Sequence, residues 1–380
     1  MIDCANKSWN DYELGELLSY EQPTPYLVHS TDYSKSYETP VLTAGKTFIL
    51  GYTNENNGIY DALPVIIFDD FTTASRYVNF RFKVKSSAMK ILTPNQDLVL
   101  PKYIYYRMQI IQFDHSTHKR YWIQQYSKIK VAIPPIPEQE RIVARIEELF
   151  SELDNGVETL RKTKQQLAVY RQAVLKDAFA HITEKKTIRE MSSIVTSGSR
   201  GWAQYYSDHG AKFVRIGNLT RDRIFIDLSD IQYVDLPDGA EGKRTQLQPN
   251  DVLVSITADL GSIGLVPADI GEAYVNQHIA MIRFLNPAQG EVMAWYLRSD
   301  YGQKDLLKNK RGGGKLGLGL DDIRDSRVPV ITDEEAANIL ATIEARMSVC
   351  DSIEKTVDTA LQQAEAMRQS ILKKAFEGKL

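Results

Sequence analysis

IPPIPEQERIVARIEELFSELDNGVETLRKTKQQLAVYRQAVLKDAF, Ile133 to Phe179, reads as one long helix. Pro134, Pro135 and Pro137 impose extended backbone and then an allowed first turn, and the stretch contains no other proline. Ile146, Leu153, Leu160, Leu167 and Val174 recur at seven-residue spacing. Val143, Phe150, Val157 and Ala178 fill the complementary seam, with Lys164 and Arg171 as its polar members. This is the a/d pattern of a coiled coil. At a rise of ~1.5 Å per residue such a helix spans about 60–65 Å.

The stretch occurs twice. At an ungapped offset of 197 residues, Glu138, Ile142, Ile146, Asp154, Arg171, Leu175 and Phe179 meet Glu335, Ile339, Ile343, Asp351, Arg368, Leu372 and Phe376. An identity run of this kind marks an internal duplication. The second helix begins at a capping box, Thr332-Asp333-Glu334-Glu335, and Gly378 stands where a C-terminal cap belongs. Its seam is formed by Ile343, Cys350, Val357, Ala364 and Ile371 with Leu340, Met347, Leu361 and Ala375. A chain that returns to its starting domain after serving a second one requires the two helices to pack antiparallel. Arg171 and Arg368 share one seam position and are expected to snorkel outward over apolar neighbours. Gly156 costs about 1 kcal/mol against alanine inside a helix and is expected to mark a bend or a close helix contact.

Length and composition set the bounds around this frame. The chain has 380 residues, more than one ordinary core encloses, and an apolar fraction of 43%, normal for a folded globular protein. A net charge of −3 gives no global attraction to nucleic acid, so any basic surface is local. Cys4 and Cys350 stand in unrelated contexts, and Cys350 occupies a heptad core position that suits a buried thiol rather than a disulfide. No signal-like N-terminus and no apolar run of spanning length is present, so the expectation is a cytoplasmic protein without membrane contact.

The segments between the helices have the texture of short strands and turns. In the first, Val41-Leu42, Thr47–Leu50, Val65–Phe68 and Val78–Val84 read as strands, and a helix is expected from Lys102 to about Ile111. In the second, Phe213–Ile216, Val252–Ile256 and Ile279–Phe284 read as strands, with a helix from Glu291 to about Leu307. Tyr77-Val78-Asn79 recurs as Tyr274-Val275-Asn276 at the same offset of 197, which aligns the two segments faintly. The chain is therefore α+β, built globular–helix–globular–helix.

Basic residues gather in both globular segments. Arg76, Arg81, Lys83, Lys85 and Lys90 follow one another without an intervening acid, and Lys119 and Arg120 lie beside His118, Tyr121 and Trp122. Arg200, Trp202, Tyr205, Lys212 and Arg215 form a second group, and Lys310, Arg311 and Lys315 surround Gly312-Gly313-Gly314. Cations in loops suit phosphate contacts, and arginine also reaches guanine edges in the major groove. Each cluster taken alone equally fits a solvated charged surface. Their presence in both halves of a near-neutral chain turns the reading toward DNA.

No catalytic constellation emerges. Gly45-Lys46-Thr47 has the ending of a phosphate-binding loop, but Pro40 stands where its first glycine belongs, and the glycine-rich Gly312–Gly319 lacks the pattern. His115, His118, His209 and His278 have no zinc-type spacing, so no metal site is expected. Asp238 and Glu241 before Lys243 echo the acid–x–lysine end of metal-dependent nucleases only faintly, and a surface turn is the simpler reading.

With these features located, the chain resembles the specificity subunits of Type I restriction–modification systems. The resemblance is carried by Ile133-Pro134-Pro135-Ile136-Pro137-Glu138-Gln139-Glu140-Arg141-Ile142-Val143 and by the paired helix ends Tyr170–Phe179 and Met367–Leu380. Val330–Glu335 departs from the proline-rich opening, and the capping box supplies the helix start there.

The resemblance implies two mixed α/β target-recognition domains, residues 1–132 and 184–330. They alternate with two long antiparallel coiled-coil helices, 133–183 and 331–380, in a pseudo-twofold repeat. Ile146, Phe150, Leu153, Val157, Leu160, Leu167 and Val174 would then pack against Ile343, Met347, Cys350, Val357, Leu361 and Ile371. It further implies a non-catalytic subunit of a prokaryotic cytoplasmic complex that binds double-stranded DNA. Each domain would read one half of a bipartite, asymmetric site. The helices would set the spacer and dock two modification (methyltransferase) subunits. Cofactors would belong to the partners: S-adenosylmethionine for methylation, ATP and magnesium with the restriction subunits. The competing reading is a self-contained tandem DNA-binding nuclease or methyltransferase.

Overall fold

The computed structural model of the chain describes residues 9–43, 47–114, 120–198, 200–221, 223–237, 243–308 and 317–380. Two compact units divide it: Met1–Arg161 together with Asp358–Leu380, and Lys162–Val357. Each contains a globular head and one portion of both long helices.

The first head runs through β1 (Asn10–Glu13), the one-turn α1 (Leu14–Leu17), β2 (Leu18–Glu21), β3 (Thr39–Leu42), β4 (Ile49–Thr53) and β5 (Val65–Asp69). It continues with β6 (Ser75–Val78), β7 (Lys83–Val84), β8 (Met89–Pro94), α2 (Pro101–Met108) and β9 (Lys130–Ile133), which leads into the long α3 (Ile136–Phe179). An antiparallel sheet has the order β2-β8-β5-β6, and a smaller one has the order β4-β3-β7, with β3 and β7 parallel. β1 and β9 pair at the base of the head.

The second head repeats the plan. It has β10 (Lys185–Thr187), α4 (Ile188–Met191), β11 (Ser192–Ser197), β12 (Tyr206–Ser207), β13 (Ala211–Val214) and β14 (Gln232–Val234). Then come β15 (Val252–Ser255), β16 (Ile263–Leu265), β17 (Ala273–Val275), β18 (Ile279–Phe284), α5 (Gly290–Arg298), α6 (Asp300–Leu306), α7 (Leu320–Arg324), β19 (Arg327–Pro329) and the long α8 (Asp333–Phe376). Its sheets are β11-β18-β15-β16 and β12-β14-β13-β17, again with one parallel pair, β13 and β17.

The apolar runs of the middle strands follow from this layering. Ile66 and Phe68 of β5 join a core with Tyr103 of α2, Ile146 of α3 and Phe376 of α8. Val65 and Ile67 point the other way, to Leu42 and Val84 of the smaller sheet. β15 divides likewise, with Val252 and Val254 on the helix side and Leu253 on the other. Alternate residues of one strand thus enter two cores, which is why Val65–Phe68 and Val252–Val254 are apolar without interruption. Full burial of each such side chain stabilises by roughly 1.5–3 kcal/mol.

Two 44-residue helices span about 66 Å each at ~1.5 Å per residue. Within the first unit the start of α3 packs on the end of α8; within the second the end of α3 packs on the start of α8. The pairing is therefore antiparallel. Thr332 and Glu335 form the expected box, with Thr332 N donating to Glu335 Oε2 at 2.8 Å and Glu335 N donating to Thr332 Oγ1 at 3.2 Å. Gly378 caps α8 at a φ of 69°, a left-handed value that favours glycine.

Seam burial is uneven. Ile146, Phe150, Leu167, Val174, Ile343, Met347, Cys350 and Val357 are buried, whereas Leu153, Val157, Leu160, Leu361 and Ile371 are half-buried. Two helices alone cannot enclose a seam; its ends are closed by the heads. Leu175 and its repeat partner Leu372, which lie outside the seam, are buried for that reason, each in the core of one head. Burial also pushes the Cys350 thiol up; Cys4 lies outside the described residues.

Five expectations need correction. The run Val78–Val84 is not one strand but breaks between two sheets, as β6 and β7. The helix from Glu291 stops at Arg298 because the Ser299 hydroxyl accepts from Gly302 N at 3.4 Å and starts α6. Tyr77-Val78-Asn79 and Tyr274-Val275-Asn276 are not equivalent: the former belongs to antiparallel β6 and the latter to β17, whose counterpart is β7. A three-residue identity cannot fix register across loops of unequal length.

Arg171 and Arg368 do not snorkel. Arg171 donates to Asp351 Oδ1 at 2.6 Å and to Glu354 Oε2 at 2.8 Å, and Arg368 pairs with Asp154. Since Arg171 repeats as Arg368 and Asp154 as Asp351, the duplication made the same bridge twice. Of the two roles expected of Gly156, finally, the close helix contact is not found: a Cβ there would meet open space.

Candidate nucleic-acid interface

Each head presents the carboxyl ends of its parallel strand pair side by side. In the second head the register Lys212↔Ala273, Phe213↔Tyr274, Val214↔Val275 brings Arg215 and Asn276 out of adjacent strands. Asn276 N closes the ladder by donating to Val214 O at 3.0 Å. The chain leaving β13 turns tightly because the buried Asn218 Oδ1 accepts from Arg215 N at 2.8 Å, while Asn218 Nδ2 donates to Asp227 O at 2.8 Å. On the other side Asn276 Oδ1 accepts from His278 N at 3.1 Å. His278 Nδ1 meets Thr257 Oγ1 at 3.0 Å, and its Nε2 meets Gln277 Nε2 at 2.9 Å, an arrangement that fits a proton on Nδ1. Arg215, Asn218, Asp227, Ser229, Asp230, Asn276 and His278 line the resulting cleft of about 410 Å³.

In the first head Val41↔Lys83 and Leu42↔Val84 are in parallel register, and Lys85 N donates to Leu42 O at 2.9 Å. Lys85 therefore occupies the strand-end position that Asn276 holds in the second head. Its side chain is exposed, with Nζ 5.9 Å from the Tyr33 ring.

The basic residues singled out in the sequence separate into different fates. Arg76, Arg81, Lys85, Arg120 and Arg200 are exposed; Tyr205, Lys212 and Arg215 are partly so. Arg76 faces a separate cleft of about 770 Å³, shared with Gln109, Asp154, Glu365 and Arg368. Lys212 Nζ is held by Ile270 O at 2.6 Å. Lys119, Lys310, Arg311 and Lys315 lie outside the described residues.

Lys83, Lys90 and Trp202 are internal, which corrects their assignment to a DNA-facing surface. Lys83 donates to Asn57 O at 2.5 Å and pairs with Glu55 at 3.0 Å. Burial alone would raise the Glu55 carboxyl, but the Ser30 amide, the Lys83 ammonium and the His29 amide outweigh it and bring it down to about 2. Lys90 pairs with Asp70 at 3.4 Å with both side chains buried, and Asp70 Oδ1 also accepts from Trp122 N at 2.7 Å. The pair pins the Trp122 segment to the sheet. Trp202 stacks on Phe213, with ring centroids 5.4 Å apart. In strands buried on both faces, a lysine signals an internal partner rather than a ligand contact.

Asn218, Asp227, Asp230, Asn276 and His278 were not singled out as site residues in the sequence. They come from three separate stretches that only the parallel pairing brings together. Among the described residues, no group of three or more His, Cys, Asp or Glu side chains could hold a metal ion, and no helix is long and apolar enough to cross a membrane.

Comparison with known proteins places this arrangement. Residues 6–167 match the family model described as "Type I restriction modification DNA specificity domain". A specificity subunit of the Escherichia coli enzyme EcoR124I/EcoR124II is 43% identical over 211 residues, covering 52% of each chain. Both matches are to Type I restriction–modification specificity proteins, which the first part of this chain resembles. A second relative, the E. coli EcoBI specificity subunit, is 26% identical over 282 residues, covering 65% of this chain and 58% of the relative. The chain thus spans about half the length of the curated relatives it matches. A solved structure described as "Structural basis underlying complex assembly and conformational transition of the type I R-M system" superposes with a TM-score of 0.70. It covers 99% of both chains at 16% identity and so shares the fold. The family model reaches only the first head and most of α3; the repeated ladder identifies the second head as the structural counterpart of the first.

Proposed function

We propose that this chain is the specificity subunit of a Type I restriction–modification complex, its DNA-reading part, and that each head reads one half of a bipartite, asymmetric site. The observation that carries this reading is the pair of equivalent strand ends with different chemistry: a lysine at position 85, an asparagine beside an arginine and two carboxylates in the second head. Two heads of one build with unlike reading edges suit a target whose halves differ. The paired helices set the spacer and dock two modification subunits. The chain itself is non-catalytic. Methylation of adenine with S-adenosylmethionine belongs to those partners, and ATP- and magnesium-dependent cleavage belongs to added restriction subunits.

The test is selection from a random double-stranded DNA library by the chain purified with its modification subunits. An enriched motif of two unlike blocks separated by a fixed gap is the expected result. Deleting one heptad from each long helix should change the gap and leave both blocks intact. A single block, or a gap indifferent to helix length, overturns the reading.

A further inference from the structure

We infer that base edges are read at the carboxyl ends of the parallel strand pairs, by Arg215, Asn276 and Asp230 in the second head and by Lys85 in the first. This rests on the proposed role in DNA recognition and names the residues that would perform it.

Topology is the first ground. Where parallel strands end side by side, the loops that leave them diverge and open a crevice, the usual place for a ligand on such sheets. The two heads close this end with the same backbone hydrogen bond, Lys85 N to Leu42 O at 2.9 Å and Asn276 N to Val214 O at 3.0 Å. The scaffold is thus constant while the side chains that leave it change.

Side-chain supply is the second ground. Asn276 is only 9% exposed and its Oδ1 is committed to His278 N, yet its Nδ2 has no partner among the described residues. The Arg215 guanidinium and the Asp230 carboxylate likewise have none there. Asn218 is different: both ends of its amide are used to hold the turn, so it is a positioning residue.

The mixture of charges decides what the cleft accepts. Asp227 and Asp230 would repel a phosphate, whereas a base pair presents donors and acceptors together in the major groove. Arg215 and Asn276 Nδ2 supply donors for ring nitrogens and carbonyl oxygens. Asp230 supplies an acceptor for an exocyclic amino group. Lys85 in the first head offers donors alone, which suits an acceptor-rich edge such as that of guanine.

The library selection described above, repeated with variants, tests this. Asn276→Asp is isosteric and keeps the acceptor for His278 N while removing the free donor. Asp230→Asn alters an exposed residue, and Lys85→Gln probes the other head. For each variant that retains the wild-type melting temperature, the preferred base should change, or its preference fall about tenfold, in one block only. The second-head variants should alter one block and Lys85→Gln the other, with the gap unchanged. Unaltered motifs overturn the inference. So does weakening that is uniform across sequences with a shallower salt dependence, the mark of phosphate contact. Should the wild-type complex enrich no two-block motif, the recognition role itself fails, an outcome separate from either.

Discussion

Set side by side, the two heads end their parallel strands alike and are fastened internally by different devices. In the first, Lys90 and Asp70 form a fully buried pair that holds the Trp122 segment. In the second, Arg283 grips Asp251 through two hydrogen bonds of 2.8 and 2.7 Å, and is itself 18% exposed at the side chain. The duplicated ladder is thus compatible with quite different polar fastenings. What it requires is the two-sided apolar strand, and the fastening is local.

The sharpest way to break the comparison is Lys90→Ala, which strands the Asp70 carboxylate in a dry site. A loss of about 3–5 kcal/mol is expected from the denaturation midpoint. Arg283→Ala should cost less, since water reaches that pair from one side; equal losses would remove the distinction between the fastenings.

Acidification should separate the heads next. Glu55 in the first head lies at about 2, below the 4.5 of a free glutamate, so its contribution is complete above 4.5 and is lost as pH falls toward 2. Asp251 in the second head shifts the opposite way: burial raises it above 3.8 despite Arg283, so proton uptake in acid favours the folded state. Hydrogen exchange should therefore show the amides of His29 and Ser30 losing protection as pH falls from about 4.5 toward 2, ahead of Gln248. Glu55→Gln should abolish the pH dependence at His29 and Ser30.

The helices carry the same contrast more weakly. Arg171 bridges Asp351 and Glu354, whereas Arg368 has Asp154 and lies 4.4 Å from the Phe150 ring centroid. Double-mutant cycles on these partly exposed pairs should give coupling of about 0.5–1 kcal/mol, larger for the Arg171–Glu354 cycle than for Arg368–Asp154. Smallest is Gly156→Ala. With no atom near its Cβ, the change should stabilise by up to ~1 kcal/mol, read as a small rise in melting temperature.

The helices were the legible part of the sequence. Their seven-residue spacing and the repeat of Asp154, Arg171 and Phe179 are long, ungapped signals that tertiary context does not override. Less legible was where the seam is closed, because Leu175 and Leu372 answer to the heads rather than to the heptad. Strands β5, β15 and β18 were visible as apolar runs, but periodicity says nothing about which sheet a run joins, so Val78–Val84 was read as one strand. The basic clusters misled at Lys83 and Lys90 because charge density does not report burial. The cleft was invisible for a geometric reason: Arg215, Asp230 and Asn276 meet only through a parallel pairing across an intervening loop and hairpin.

The strands that feed two cores have a mechanical consequence. In each head, neighbouring residues of β5 or β15 form a party wall, one pressed against the layer that carries the cleft or its counterpart, the next against the layer that touches the long helices. Close-packed interiors have low compressibility and little slack. A displacement at one face of such a wall therefore arrives at the other within a single residue's thickness, with no hinge between them to absorb it. In each head the end of the parallel strand pair and the helix seat move as one piece.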